Sequence, residues 1–546
     1  MEGIRIFCEN TSSYEKVSIG TTLTSLHGHM SLDNPILDEP VLAALVDNKL
    51  KSLDYKIINP HNVRFVDYDH PDGRRTYIRS LCFVLQKVVH EMFPDKVLVI
   101  DYSLPSGLYC EIREAHNMDD GRPCVYFVTD SEVEHIEARM REIIAADLRF
   151  GKKMLSLQEC CQIYESQHQT EKANLLKTLG RFNYNVYMLD GYVDTFYGPL
   201  VPSTGLLSTF SLMAFNDGFC LQYPMEGDTD RVLPMKRQSK LATVLEERSD
   251  WCSIMGVHGV GKLNEAVKSG KVVDLINLSE ALHERMYADI ADMIFERRDS
   301  VKIVFIAGPS SSGKTSTSKR LALQCRILGM NPKVIELDNY FVDREHTPVD
   351  ENGEYDFEAL GAMDLDFLGK QLNELLDGKE VEIPKFNFKT GQRCFDGNIM
   401  KLEEKDILIM EGIHALNPAM IPDVDQSKVF RVYASALTSL SVDENNNIST
   451  SDNRMLRRMI RDNRTRGVSP ESTIMRWQSV RRGENRNIFP YQENADAVFN
   501  SAHIFELPVL KYPELEKLAF AEHCFTMRQG GVSEGVYASM NLSWSR

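Results

Sequence analysis

The eight residues Gly308–Thr315 fit the pattern GxxxxGK[ST]. Glycines at 308 and 313 let the backbone wrap closely, so successive N–H groups can point inward at phosphate oxygens. Lys314 is then a mobile cation for β- and γ-phosphates, and the Thr315 hydroxyl can ligate Mg²⁺. Five of the six residues Val301–Ile306 are β-branched or aromatic and predict a buried strand. Ser316–Leu328 predicts a helix whose N-terminus adds partial positive charge. Strand, loop and helix in this order hold a nucleoside triphosphate. The expected contacts are Gly308, Pro309, Ser310, Ser311, Ser312, Gly313, Lys314, Thr315 and Ser316. A chance match is the competing reading, and the flanking elements weigh against it. The chain carries its own control in Gly256–Lys262. There Leu263 stands where the metal-binding hydroxyl is needed and no strong strand precedes, so this match reads as a loop entering a helix.

Two carboxylates fall where a reacting phosphate would lie. Asp338 ends a predicted strand, Lys333–Leu337, and could accept a proton from an attacking hydroxyl or hold Mg²⁺. A turn aspartate is the plain alternative. Glu411 ends the apolar strand Ile407–Met410 and is expected to serve the metal with Thr315, against the alternative of a strand cap. The segment Arg454–Arg486 holds ten arginines against Asp462, Glu471 and Glu484. Arg454, Arg457, Arg458 and Arg461 share a helical face, and Arg464 and Arg466 run on into Gly467. Solvated helix faces usually mix signs, and guanidinium groups suit the charge that develops on a phosphoryl group in flight. The expectation is a closing lid, with RNA binding by this stripe as the rival.

These residues need elements to position them. Strands Val301–Ile306, Lys333–Leu337, Ile407–Met410 and Val429–Tyr433 alternate with helical patterns, which predicts a parallel sheet with helices on both faces and ligands at its carboxyl ends. The 546 residues exceed one core, and about three domains are expected. The expected divisions are 1–68, 69–235, a helical connector 236–298, the triphosphate domain 299–512 and a tail 513–546. Predicted pieces further forward include a small helix at Val41–Val46, helices Ser80–Met92, Ser131–Leu148 and Leu155–Leu179, and strands Val97–Asp101 and Leu108–Ile112. Acidic side chains outnumber basic ones, 79 to 62, so a nucleic-acid partner would need a local basic patch. Eleven scattered cysteines without a CxxC pair point to a reduced, cytoplasmic setting. No stretch approaches eighteen apolar residues, so no membrane span is expected.

From about 300 to 510 the sequence resembles the uridine kinase and phosphoribulokinase family. The carrying residues are Gly308–Thr315, the segment around Asp338 and Tyr340, Tyr355–Glu358 with Asp364, Pro384–Thr390 with Arg393, Glu411-Gly412, and Arg457–Asp462. The resemblance implies transfer of the ATP γ-phosphate to a 5′-hydroxyl, with ATP and Mg²⁺ as cofactors. It implies Asp338 as general base, Lys314 and Arg461 in catalysis, and Arg458, Arg464 and Arg466 on the triphosphate. Thr315 and Glu411 would surround the metal. Tyr340, Glu358, Phe386 and Arg393, with Asp338, would meet the acceptor, Glu358 at the sugar hydroxyls. Uridine–cytidine kinases carry a tyrosine and a histidine where this chain has Phe386 and Gly391. Neither offers a side-chain hydrogen bond, so the bonds on which such pyrimidine selectivity is built are not expected here.

Residues 1 to about 235 resemble the front of threonyl-tRNA synthetase, a small ubiquitin-like TGS domain followed by an α+β editing-type domain. Arg79-Ser80, Phe93-Pro94, Ser106–Tyr109 and Gly198–Gly205 carry the likeness. The two histidines, the cysteine and the further histidine of that editing site correspond to Phe83, Lys87, Phe196 and Leu200. Neither metal binding nor ester hydrolysis can run on those four side chains. His90 nearby reads as a helix-surface residue. The tail, His523–Leu542, resembles the opening of the laccase-like purine nucleoside phosphorylases and is too short to build their core.

Two functions of different class follow. One is an ATP-dependent kinase acting on a nucleoside, with a phosphoribulokinase-like sugar-phosphate kinase as its close rival. The other is a nucleotide-gated RNA- or ribosome-associated protein whose TGS-like front binds RNA. Homo-oligomerisation is left open.

Overall fold

A computed structural model of the chain describes residues 3–510, except 32–35, 105–106, 118–122, 226, 233–238, 350–352, 354, 388–389 and 439. The expected tail and Ser106 lie outside the described residues. Among those described, no helix is long and apolar enough to cross a membrane.

The apolar runs of the C-terminal half pair as a five-stranded sheet. Its order is Asn331–Glu336, Asp406–Glu411, Ile303–Ala307, Val429–Ser435, Ala497–Asn500, and every neighbouring pair is parallel. Parallel strands are covered on both faces, which is why they read as continuous apolar runs rather than alternating ones. On one face Ile303, Phe305, Leu408 and Met410 pack with Leu368, Leu372 and Leu375 of the helix Leu365–Leu376. On the other, Val304, Ile306, Ile409 and Val432 meet Leu321 and Cys325 of the helix Lys314–Ile327. That second face also takes Tyr287, Ile290, Ala291 and Ile294. These come from the helix Val272–Glu296, expected from the sequence to lie in a connector, so the connector's last helix shares the core of this sheet.

The front of the chain holds a mixed sheet in the order Ser13–Ser18, Gly3–Cys8, Asn62–Val66, Ala43–Val46, Lys49–Lys51, with the helix Leu23–Met30 contributing Leu23 and Leu26 to its core. The following unit packs helices Pro71–Met92 and Asp130–Ala145 on a sheet that includes Lys96–Leu104, Gly107–Asn117, Ser211–Phe215 and Gly218–Gln222. Two expectations fail here. Val41–Val46 is not a helix, because Ala43–Val46 is a strand paired on both sides. A short apolar run fits either element, and its neighbours decided. Leu155–Leu179 is not one helix. It opens at the end of the strand Gly151–Ser156, and the helices Leu157–Ser166 and Thr170–Thr178 follow. A capping box between Ser156 and Glu159 starts the first helix, and His168 at φ 59° separates the two.

The two halves are joined through buried polar groups. Both side-chain oxygens of Glu444, whose pKa burial pushes up to about 8, accept the N–H groups of Glu171 (2.7 Å) and Lys172 (3.0 Å) at the start of the helix Thr170–Thr178. Lys172 is fully buried, bonded to Asp194 and 3.9 Å from Asp443. The residues Asp443 and Glu444 sit in the loop that leads into the helix Thr450–Arg466, which carries the arginines.

Candidate active site

The loop after the strand Ile303–Ala307 needs its glycines. A β-carbon on Gly308 would lie 2.0 Å from the Ala434 carbonyl oxygen, and Gly313 opens the helix Lys314–Ile327 at φ 89°. Lys314 curls back over this loop, its Nζ donating to the carbonyls of Gly308 (2.9 Å) and Pro309 (3.3 Å). Burial lowers its ammonium pKa, while Glu411 and Asp338 oppose the shift. Thr315 Oγ1 donates to Glu411 Oε1. That contact joins the helix start to the end of the adjacent strand, where Glu411 pairs in register with Ile306 and Glu336. A hydroxyl and a carboxylate oxygen side by side are hard ligands of the kind Mg²⁺ takes.

Asp338 lies just past the strand Asn331–Glu336, at the same carboxyl edge. Burial, then repulsion from Glu411, pushes its pKa up to about 6, with Lys314 and Arg466 pulling the other way. Glu358 is pushed up to about 7, by burial first, with Arg458 as the strongest opposing charge, and its Oε2 has no hydrogen-bond partner. The loop hydroxyls of Ser311 and Ser312 are likewise buried without partners. Polar groups buried without partners are uncommon in folded proteins, and several of them meet here.

The arginines divide. Arg458 Nη1 donates to Ser310 Oγ at 2.8 Å. Buried Asp462 gathers Arg458 (3.3 Å), Arg461 (2.8 Å) and Arg466 (3.7 Å). Arg464 and Arg466 have exposed side chains at the end of their helix. Arg454 and Arg457 instead brace the structure, since both bond to the loop and to carboxylates, Glu484 and Glu506.

Three expectations change on inspection. Tyr340 does not face the site: its ring is fully buried in the core and its hydroxyl donates to Gln371 Oε1 at 2.9 Å. Its neighbour Phe341 takes the outward position, in edge contact with Phe386 at 5.7 Å. Ser310 cannot offer its N–H to a phosphate, because that group donates to Glu484 Oε1 at 3.1 Å. Arg393 is held by Asp364 at 2.7 Å and lies over Phe367, with Nη1 unpartnered. Phe386 is nearly buried, its N–H donating to Asn339. Sequence reasoning did not single out Glu484 or Phe341. The one available signal was an acid at 484 set among Arg481, Arg482 and Arg486.

The control loop Gly256–Leu263 follows the helix Ser239–Met255 rather than a strand. At the editing-type positions Phe83 and Phe196 pack at 5.0 Å, Phe83 also meets Phe150 and Tyr192, and Leu200 is in the core. Lys87 is buried and pairs with Glu91 (2.5 Å) and Asp190 (3.2 Å). His90, partly exposed, lies against Tyr192.

Residues 303–506 match the Phosphoribulokinase / Uridine kinase family. A uridine kinase of Bacillus licheniformis is 30% identical over 197 residues, covering 36% of this chain and 84% of the relative. A threonine–tRNA ligase of Clostridium kluyveri is 24% identical over 278 residues, 51% of this chain. The similarity falls in the N-terminal half. The chain spans 40% of the length of that ligase. Among solved structures, a possible uridine kinase from Bacillus stearothermophilus is 18% identical with a TM-score of 0.28, covering 40% of this chain and 98% of its own.

Proposed function

The chain belongs to the Phosphoribulokinase / Uridine kinase family, and on that premise we propose that it moves the γ-phosphate of ATP to the 5′-hydroxyl of a nucleoside. The observation that carries the reading is the place of Asp338, at the carboxyl edge of the sheet with Lys314, Glu411 and Arg466 as charged neighbours, where burial pushes its pKa up to about 6. A carboxylate with that pKa is ionised at neutral pH yet basic enough to take a proton as the acceptor oxygen attacks. The new O–P bond forms as the β–γ bridging P–O bond breaks, and the acceptor proton ends on Asp338. Lys314 and the loop amides hold the departing oxygens, and Arg458, Arg461, Arg464 and Arg466 meet the charge on the transferred group. Thr315 and Glu411 would hold Mg²⁺, which supplies charge neutralisation between the phosphates. Glu358 accepts hydrogen bonds from the sugar hydroxyls.

The partly exposed Phe341 ring, backed edge-on by Phe386, supports a flat, stackable acceptor such as a nucleobase. At the position where pyrimidine kinases have a histidine, the space beside Gly391 is filled by Arg344. That favours a base other than uracil. The test is to incubate the full chain with Mg·ATP and a panel of ribonucleosides, deoxyribonucleosides and sugar phosphates. A phosphorylated nucleoside identified by mass is expected, and a panel in which no nucleoside is phosphorylated would end the reading. One observation favours a sugar phosphate instead: Arg393 Nη1 is an unused donor at the acceptor end, suited to a phosphate already on the sugar.

A further inference from the structure

Ser310 is gripped at three points by the two helices, Thr450–Arg466 and Pro470–Asn487, that connect the strands Val429–Ser435 and Ala497–Asn500. Its N–H donates to Glu484 Oε1 at 3.1 Å, its carbonyl accepts from Arg454 Nη1 at 3.1 Å, and its hydroxyl accepts from Arg458 Nη1 at 2.8 Å. Glu484 and Arg454 are fully buried and form a two-bond pair, the second bond running from Nη2 to Oε2 at 2.7 Å. Arg481 adds a contact to Glu484 at 3.2 Å. The next peptides are held as well, Ser311 by Arg457 at 3.4 Å and Ser312 by Ser501 Oγ at 2.6 Å. Every carbonyl from Ser310 to Ser312 is therefore tied outward.

A buried ion pair persists only when both partners are matched and hydrogen-bonded. This pair could satisfy itself, yet one peptide of the phosphate loop is wedged into it. The carboxylate turns one amide away from the triphosphate, and the guanidinium fixes the carbonyl of the same residue. We propose that Glu484 is a positioning residue for triphosphate binding: with Arg454 it clamps the Ser310 peptide and sets the loop turn that aims the remaining amides and Lys314 at the phosphates. The turns of the arginine helix that carry Arg454 and Arg457 are then a fixed strut under the loop.

The experiment titrates the full chain with Mg·ATP by calorimetry, so the identity of the acceptor does not enter. Arg454→Met with Glu484→Met replaces the pair by apolar side chains of similar length, a change that folded proteins tolerate. Arg454→Lys keeps the buried charge but loses the fork that bonds Ser310 and Glu484 together. Loss of the clamp is expected to weaken ATP binding by roughly ten- to a hundredfold at a near-parental melting temperature. ATP affinity within about twofold of the parent in either folded variant overturns the proposal. So does failure of both variants to fold, because the pair would then serve the core rather than the loop.

Discussion

Gly391 and Arg344 share one space: a β-carbon placed on Gly391 would lie 2.8 Å from both Cβ and Nε of Arg344, and Arg344 N–H donates to the Gly391 carbonyl at 2.8 Å. Gly391 also sits at φ 73°, where side chains are strained. Restoring the pyrimidine-kinase residue by Gly391→His should therefore fail twice. The backbone alone costs about 1–2 kcal/mol, and the imidazole must displace Arg344. The expected outcome is a melting temperature lowered by several degrees with no gain in uridine phosphorylation. A stable variant that gains uridine turnover would show that Arg344 is easily moved.

Asp338→Asn should leave Mg·ATP binding nearly intact while lowering turnover by roughly a hundredfold or more. The pH profile separates a base from a mere contact. With a folded pKa of about 6, the parent kcat/KM should rise with pH up to that value and then level. The variant should lose this rise. The stability consequence has the opposite sign. A carboxyl whose pKa is raised by folding binds protons better in the folded state, so stability falls as pH climbs from about 4 to about 6. The variant should flatten that part of a melting-temperature curve.

Gly483 lies one residue before Glu484 on the helix Pro470–Asn487, and its bare α-carbon faces Glu358. A β-carbon there would come within 2.4 Å of Glu358 Cβ, while Asn487 Nδ2 holds the Glu358 carbonyl at 2.8 Å. One turn of helix thus touches both the phosphate loop and Glu358. Gly483→Ala improves helix propensity yet must push Glu358 aside. It is expected to raise the acceptor KM and lower turnover, by up to about a hundredfold if Glu358 moves a full ångström, with ATP affinity unchanged. Steady-state kinetics in both substrates reads the split, and equal effects on both would place Glu358 outside the acceptor site.

The parts of this molecule that obey local rules could be read from its residues. The strand–loop–helix at 301–328 and the parallel strands around it follow from β-branched runs and two glycines, because those patterns constrain the backbone directly. Which arginine does what could not be read. Arg454, Arg457, Arg458 and Arg461 share helical spacing, but only Asp462, the partner of Arg461, lies on the same helix, while Glu484, Glu506 and Ser310 come from distant segments. Tyr340 and Phe341 are adjacent aromatics, and only the packing of the helix Leu365–Leu376 decides which ring turns inward. The change of Phe83 and Phe196 from polar to aromatic was visible in the sequence, and the structure adds that the rings pack on each other.

Lys172 shows how far the N-terminal half is built into the kinase. Its ammonium is fully buried between Asp194 and Asp443, and Asp443 lies on the loop that leads to the arginine helix. Lys172→Met leaves two carboxylates in a dry interface, and removing one partner of a buried pair costs about 3–5 kcal/mol. The interface should loosen, the loop at 441–447 should become cleavable by protease, and phosphoryl transfer should fall as the arginine helix loses its anchor. The penalty should depend on pH in a definite direction. Burial already raises the Asp194 pKa to about 6 in the presence of the ammonium, and loss of that cation raises it further. At low pH Asp194 is protonated and needs no partner, so the variant should approach parental stability near pH 5 and fall below it as pH rises. Denaturant unfolding of parent and variant at pH 5 and pH 8 reads this, and a penalty that is equal at both values would mean that the unpaired Asp194 carboxylate is not its source.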